Sequence, residues 1–277
     1  MELFGYLAIV CIGLVLGSIG AGGSILAIPV FVYLFGMDME TAGAYSLFLV
    51  GTTSLTGAAL KQRKQIVSLR TAVLFGVPSV AGTFISRKWI VVGIPEILWD
   101  SGIFVLTKDR ALLLLFCVLM VTSSLVLLLK KNQANDANKN PRLFYLACLG
   151  FLVGLIAGLV GAGGGFIIIP ALIILARQSF PTVTATSLMI IASNSLLGFC
   201  GDLLNRPINW IFLFAVTGLA ISGLLLGYWL HNDVRSSFSA RRAFAWFTMI
   251  MALSILTKVL FCRCSNSLVS PLFQAGN

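Results

Sequence analysis

Charge is what this 277-residue sequence lacks: 10% of its residues are Asp, Glu, Lys or Arg, while 58% are hydrophobic. A soluble domain carries about 25% charged residues. So little charge cannot clothe a soluble fold of this length, which excludes a soluble enzyme, a DNA-binding module and a secreted disulfide scaffold. Histidine is nearly missing, since His231 is the single one; a histidine metal centre or a catalytic triad has nothing to be built from. Paired carboxylates at membrane depth are missing too. No enzyme activity, cofactor or metal is expected. Of the six cysteines, Cys11, Cys117, Cys148 and Cys200 fall inside apolar runs, where a thiol behaves as a small hydrophobe. Cys262 and Cys264 form a lone C-x-C without further ligands nearby.

What charge there is has one sign in excess. Nineteen Lys and Arg against nine Asp and Glu give a formal +10. The basic residues sit in short clusters between long apolar runs, the mark of membrane topology rather than of a nucleic-acid partner. No charged residue occurs between Glu2 and Asp38, or between Arg142 and Arg177. Each stretch is too long for one span and too short for two ordinary spans with a polar loop, so a broken or re-entrant helix fits both. Runs at about 41–60, 69–86, 111–129, 182–201, 208–230 and 243–261 supply one helix each. The expected fold is all-α: a polytopic transmembrane helix bundle of about eight membrane segments. Residues 89–106, broken by Pro95, Glu96 and Asp100 and carrying Trp89 and Trp99, read as an interfacial or re-entrant excursion. KKNQANDANKNPR at 130–142 reads as a flexible linker. Lys and Arg counted over alternating loops place both termini and this linker in the cytoplasm, with the chain multi-pass in a plasma (inner) membrane.

The chain repeats itself. The shift that carries Gly13 onto Gly154 lays GLVLGSIGAGGSILAIP (13–29) on GLIAGLVGAGGGFIIIP (154–170), aligning the glycines and bringing Pro29 onto Pro170. Without a gap the same shift brings Ser54-Leu55 onto Ser195-Leu196 and Gly57 onto Gly198. The halves are thus 1–129 and 143–277, each beginning with a glycine-rich broken helix. Four segments per half would give the two the same orientation. If each broken segment crosses twice, the count is odd and the halves are inverted.

Glycine admits positive φ and close approach, so GAGGS and GAGGG suit a turn with free N–H groups better than a continuous helix. Gly20, Gly22, Gly23 and Ser24 in the first half, and Gly161, Gly163, Gly164 and Gly165 in the second, are the candidate substrate-lining breaks. Pro29 and Pro170 suit the first turn of the half-helix that follows. The amides and positive dipole end of such a half-helix attract an anion without a buried Lys or Arg. Gly13-x-x-x-Gly17 and Gly154-x-x-x-Gly158 read instead as helix-packing positions. A second polar patch, Thr52, Thr53 and Ser54, coincides under the shift with Ser193, Asn194 and Ser195, and is a candidate wall of a shared cavity. Asp202 falls on Lys61; both read as interfacial charges, with coupling or steering of the substrate as the functional alternative.

Two copies of G-x-x-G-A-G-G-[SG]-x-x-x-x-P, each followed by a helix of small and polar residues, resemble the TauE/SafE family of membrane transporters. The resemblance covers both halves. It implies export of sulfite or a related organosulfonate, a small anionic substrate, in a lipid bilayer, and leaves room for a homo-oligomer. A permease for a cation or neutral solute and, in another class, a membrane assembly protein are the alternatives.

Overall fold

The computed structural model describes residues 2–19, 24–62, 68–100, 105–129, 143–161, 163–175, 180–203, 208–230, 245–246 and 248–257. It is the expected helical bundle. In chain order come α1 (Glu2–Ile19), α2 (Ser24–Tyr33), α3 (Met39–Gln62) and α4 (Leu69–Ile85). A π-helical turn, Ser86–Ile90, carries α4 into α5 (Val91–Gly93). Strands β1 (Ile97–Asp100) and β2 (Val105–Thr107) precede α6 (Lys108–Leu129). Then follow α7 (Leu143–Val160), α8 (Gly165–Leu175), α9 (Phe180–Leu203) and α10 (Trp210–Leu230), with α11 (Thr248–Thr257) after them. Among the described residues four helices are long and apolar enough to cross a membrane, and Phe4–Gly17, Phe144–Val160 and Thr248–Thr257 are shorter apolar helices.

The shift read from the sequence recurs in the helix boundaries. It carries the first residues of α1, α2, α3 and α4 onto the first residues of α7, α8, α9 and α10. Their packing repeats as well. A Cβ added to Gly13 would strike the Ala220 carbonyl oxygen of α10, and one added to Gly154 would strike the Ser79 carbonyl oxygen of α4. Likewise Gly223 meets the Val10 carbonyl, and Gly82 the Phe151 carbonyl. Each member of one contact is the repeat equivalent of a member of the other. Backbone therefore packs on backbone between α1 and α10 and between α7 and α4, the close approach that only glycine allows. The first helix of each half leans on the fourth helix of the other.

These contacts also give the helix directions. Gly13 and Gly17 meet Ala220 and Leu224 in rising order, so α1 and α10 run the same way; Gly150, Gly154 and Gly158 meet Phe75, Ser79 and Thr83, so α7 runs with α4. Leu47 faces Gly198, Gly51 faces Leu196, and Gly57 faces Leu188, so α3 and α9 run oppositely. Phe48 packs on Trp210 and Phe214 at the start of α10, and Gly57 meets Leu224 near its end, so α3 runs with α10. Equivalent helices thus point opposite ways, and the repeats are inverted about an axis in the membrane plane. Facing numbers in α3 and α9 sum to 245 (47 and 198, 57 and 188), so a residue faces its own equivalent at Thr52 and Ser193. The axis passes through the two polar patches.

The equal-orientation count fails because α2 is a return pass. Phe35, just beyond α2, packs edge-on against Tyr6 near the start of α1, with ring centroids 5.5 Å apart. α6 starts at the face where α3 starts, since Lys108 pairs with Glu40. Five passes then precede residues 130–142, which lie outside the described residues. By these directions α6 ends, and α7 begins, at the face opposite the start of α1.

Two further expectations change. The apolar run ending at 86 does not end the helix: the chain stays helical to Gly93 through two basic residues. The excursion at 89–106 contains the end of that helix, with Trp89 exposed, and the antiparallel β1–β2 hairpin. Pro29 and Pro170 do not open their half-helices; each is the sixth residue of its helix. An interior proline leaves the carbonyl four residues back without its donor. For Pro170 that carbonyl is Phe166, and the Ser123 hydroxyl of α6 donates to it. A neighbouring helix thus satisfies what proline removes.

Gly154→Ala should lower the thermal stability of the detergent-solubilised protein by about 1–3 kcal/mol through overpacking. Gly218→Ala, with nothing within 4 Å of the added carbon, should be neutral or slightly stabilising by helix propensity. Equal effects in a thermal unfolding assay would refute the backbone contact. Single cysteines at Asn135 and Ala275 in a cysteine-free background should be labelled from opposite faces; labelling of both from one face would refute the inversion.

Candidate functional site

The second break forms as its glycines require. α7 ends at Val160, and Gly161, Gly163 and Gly164 all take positive φ, at 79°, 66° and 73°. A side chain at any of them would be strained. The Gly161 N–H donates to the Ala157 carbonyl at 3.0 Å, closing α7, and Ile167 and Ile168 donate to the Gly164 carbonyl at 2.9 and 2.8 Å, opening α8. Gly165 and Phe166 are the first residues of α8, where backbone N–H groups lack partners within their own helix. They carry the positive end of the α8 dipole. In the first half Gly20, Gly22 and Gly23 lie outside the described residues, as does the Ser24 side chain; the Ser24 backbone opens α2.

The break runs inward between α3 and α9. At Gly161 its neighbours are Gly43 and the Arg87 guanidinium; at Gly163 they are Val50, Ile191 and the Ser195 hydroxyl. From Gly43 to Val50 is two turns of α3, about 10 Å along the helix. Val50 and Ile191 are repeat equivalents, so Gly163 sits beside the pseudo-twofold axis at mid-helix.

The polar patches divide by where their side chains turn. Ser54 and Ser195, equivalent residues, are both fully buried, and neither hydroxyl has a hydrogen-bond partner. Asn194 is buried; its Nδ2 donates to the Ser79 hydroxyl at 2.6 Å, and its Oδ1 has no partner. An unpaired buried hydroxyl or amide oxygen costs about 1–3 kcal/mol, and three such atoms lie around the axis; the hydroxyls of Ser46, Ser86 and Thr217 are buried without partners as well. The other members turn elsewhere. Thr53 donates to the Leu49 carbonyl of its own helix at 2.7 Å, Thr52 to Phe48 at 2.9 Å, and exposed Ser193 to Met189 at 3.1 Å. The Lys61 side chain lies outside the described residues.

Asp202 is near the end of α9, as expected, but it is not a free surface charge. It is buried against Arg87, with Oδ2 3.0 Å from the guanidinium Nη2. Arg87 itself is 1% exposed, and no reading of the sequence singled it out. It stands beside Lys88 at the end of an apolar run, which looks like a loop. Its partner belongs to the other half of the chain. The available signal was Asp202, the single acidic residue between Asp136 and Asp233, because a carboxylate buried in a membrane helix requires a cation. The π-helical turn that presents Arg87 is defined by the Val91 N–H donating to the Ser86 carbonyl; such turns recur at functional sites.

The chain is similar to several proteins named as probable membrane transporters. A probable membrane transporter protein of Xylella fastidiosa (strain Temecula1) is 30% identical, over 77% of this chain and 79% of its own length. The probable membrane transporter protein YunE of Bacillus subtilis is 23% identical, over 93% of this chain and 96% of its own. A third, the probable membrane transporter protein MJ0441 of Methanocaldococcus jannaschii, is 24% identical over 75% of each. No solved structure matches. The family profile described as sulfite exporter TauE/SafE matches residues 5–255, nearly the whole chain. The chain belongs to the sulfite exporter TauE/SafE family of membrane transporters.

Proposed function

We propose that this transporter exports a small anion, sulfite or an organosulfonate, across the plasma membrane, binding it where the Gly161–Gly164 break meets the crossing of α3 and α9. The observation that carries the reading is the buried, unpartnered Ser195 hydroxyl against Gly163, beside the amide end of α8. The Ser195 hydroxyl lies there beside the first turn of α8, and donors around a broken helix at a repeat interface recognise an anionic group. The two halves, 1–129 and 143–277 joined by 130–142, would exchange conformations in alternating access, as inverted repeats allow. Because α1 leans on α10 and α7 on α4, the moving bodies would be these mixed pairs rather than whole halves.

The helix directions support another membrane orientation. The stretches of sequence joining α3 to α4, α6 to α7, α8 to α9 and α10 to α11, with the helix ends beside them, carry twelve of the nineteen Lys and Arg, including Lys61, Lys130, Lys131 and Arg142; the rest of the chain carries seven. The positive-inside rule then puts the linker in the cytoplasm and the termini outside, in place of the cytoplasmic termini expected from an eight-segment count.

In proteoliposomes offered sulfite, sulfate, taurine and sulfoacetate, the protein should move at least one of them. Gly163→Val, which blocks both the positive-φ turn and approach to Ser195, should abolish that flux in a folded protein. Asn194→Ala should weaken substrate affinity by about 1–2 kcal/mol, roughly five- to thirtyfold. Flux of a cation or neutral solute with none of the four anions would favour the permease reading, and unchanged anion flux in Gly163→Val would remove the break from the site.

A further inference from the structure

We propose that Arg87 is the anion-selecting residue of this pathway and that the Asp202 carboxylate is its resident counter-charge, displaced when the oxyanion of the substrate binds. The inference rests on the anion reading above and names the residue that enforces it.

A guanidinium inside a membrane protein is costly, and it persists where it serves a pathway or a fully satisfied structural pair. The Arg87–Asp202 pair is not fully satisfied. Nη2 and Oδ2 are 3.0 Å apart, yet neither atom is in a hydrogen bond. Nε has no hydrogen-bond partner either. A structural arginine uses its planar fork to hold a carboxylate with two parallel N–H···O bonds. Here the charges are neighbours while donors of the fork are left unused, the state expected of a group that holds one partner loosely and takes another well.

Glycine backbone lies against the guanidinium on two sides. A Cβ on Gly43 would come within 2.6 Å of Nη2, and one on Gly161 within 2.7 Å. Two bare backbones thus flank the guanidinium where any side chain would collide with it. Gly161 is also the first residue of the break, so Arg87 stands at the start of the path that leads to Ser195. Along α9 the polar residues Asp202 and Ser195 are two turns apart, about 10 Å. The other cations here are engaged elsewhere: Lys108 pairs with Glu40, and the Lys88 ammonium lies over the rings of Phe84 and Trp89, at 5.6 and 5.2 Å. Arg87 is therefore, among the described residues, the cation facing the break. A sulfite or sulfonate group presents coplanar oxygens that fit two N–H donors of one guanidinium, which a single ammonium cannot match.

The test compares sulfite uptake in proteoliposomes for four proteins: wild type, Asp202→Asn, Arg87→Lys, and the double variant Arg87→Gln/Asp202→Asn. The double variant replaces the ion pair by a neutral pair of similar shape and should stay folded, as judged by a single size-exclusion peak and an unchanged Tm. It should lose sulfite uptake at least tenfold. Asp202→Asn removes the competitor and should lower KM for sulfite about tenfold while slowing maximal flux. Arg87→Lys keeps the charge pair and so the fold, and should raise KM about tenfold. Should the double variant fail to fold, the Arg87→Lys KM decides. A folded double variant transporting within twofold of wild type, or an Arg87→Lys protein with wild-type KM, would show that the pair only holds helices together and would leave the anion reading standing. A wild type that moves none of sulfite, sulfate, taurine and sulfoacetate would overturn the anion reading and this inference with it.

Discussion

Everything in this bundle depends on how closely four helices can approach. In a bilayer no hydrophobic force drives helix against helix, since lipid tails are as apolar as leucine; packing and local polar contacts must do it. Glycines at 13, 17, 223 and 227 let α1 and α10 touch backbone to backbone, and their equivalents at 82, 154 and 158 do the same for α4 and α7. These seams hold the two outer pairs in place. With them fixed, α3 and α9 are left to cross at the centre, and the breaks are left to turn inward beside the crossing.

The second constraint is that no polar group inside the membrane can borrow water. The structure meets it almost everywhere with local solutions. Thr52, Thr53 and Thr83 bond to carbonyls of their own helices, and Thr83 also reaches the Gly154 carbonyl of α7 at 3.0 Å. Ser123 covers the carbonyl that Pro170 leaves open. Against that background the unpartnered groups stand out: Ser54, Asn194 Oδ1 and Ser195 near the axis, Arg87 and Asp202 beyond them, and the hydroxyls of Ser46, Ser86 and Thr217.

Much of this was legible in the sequence because duplication prints the same message twice. The constant shift between the halves, the glycine breaks and the packing role of Gly13, Gly17, Gly154 and Gly158 are all local patterns. The sign of the symmetry was not, because it turns on whether a helix as short as α2 counts as a pass. Phe35 lying on Tyr6 decides it, and that is a contact no periodicity encodes. Pro170 was misplaced for a related reason: its position looks like a helix start until the compensating hydroxyl, which comes from α6 in the other half, is seen. Arg87 escaped notice because a basic residue at the end of an apolar run is ordinarily a snorkelling or loop charge, and only the fold brings Asp202 to it.

The interlocking seams have a consequence for how such a chain could arise. Half of the molecule alone would expose the glycine face of α1 and the matching face of α4 with nothing to cover them. A one-half ancestor would therefore be stable only as a pair of copies inserted in opposite senses, each lending its first helix to the other's fourth. Since equivalent helices among the described residues run oppositely, a second copy fused in tandem would have to enter the membrane upside down. Gene fusion thus replaces a statistical choice of insertion by a covalent one, and frees equivalent positions to diverge, as Asp202 and its counterpart Lys61 have done.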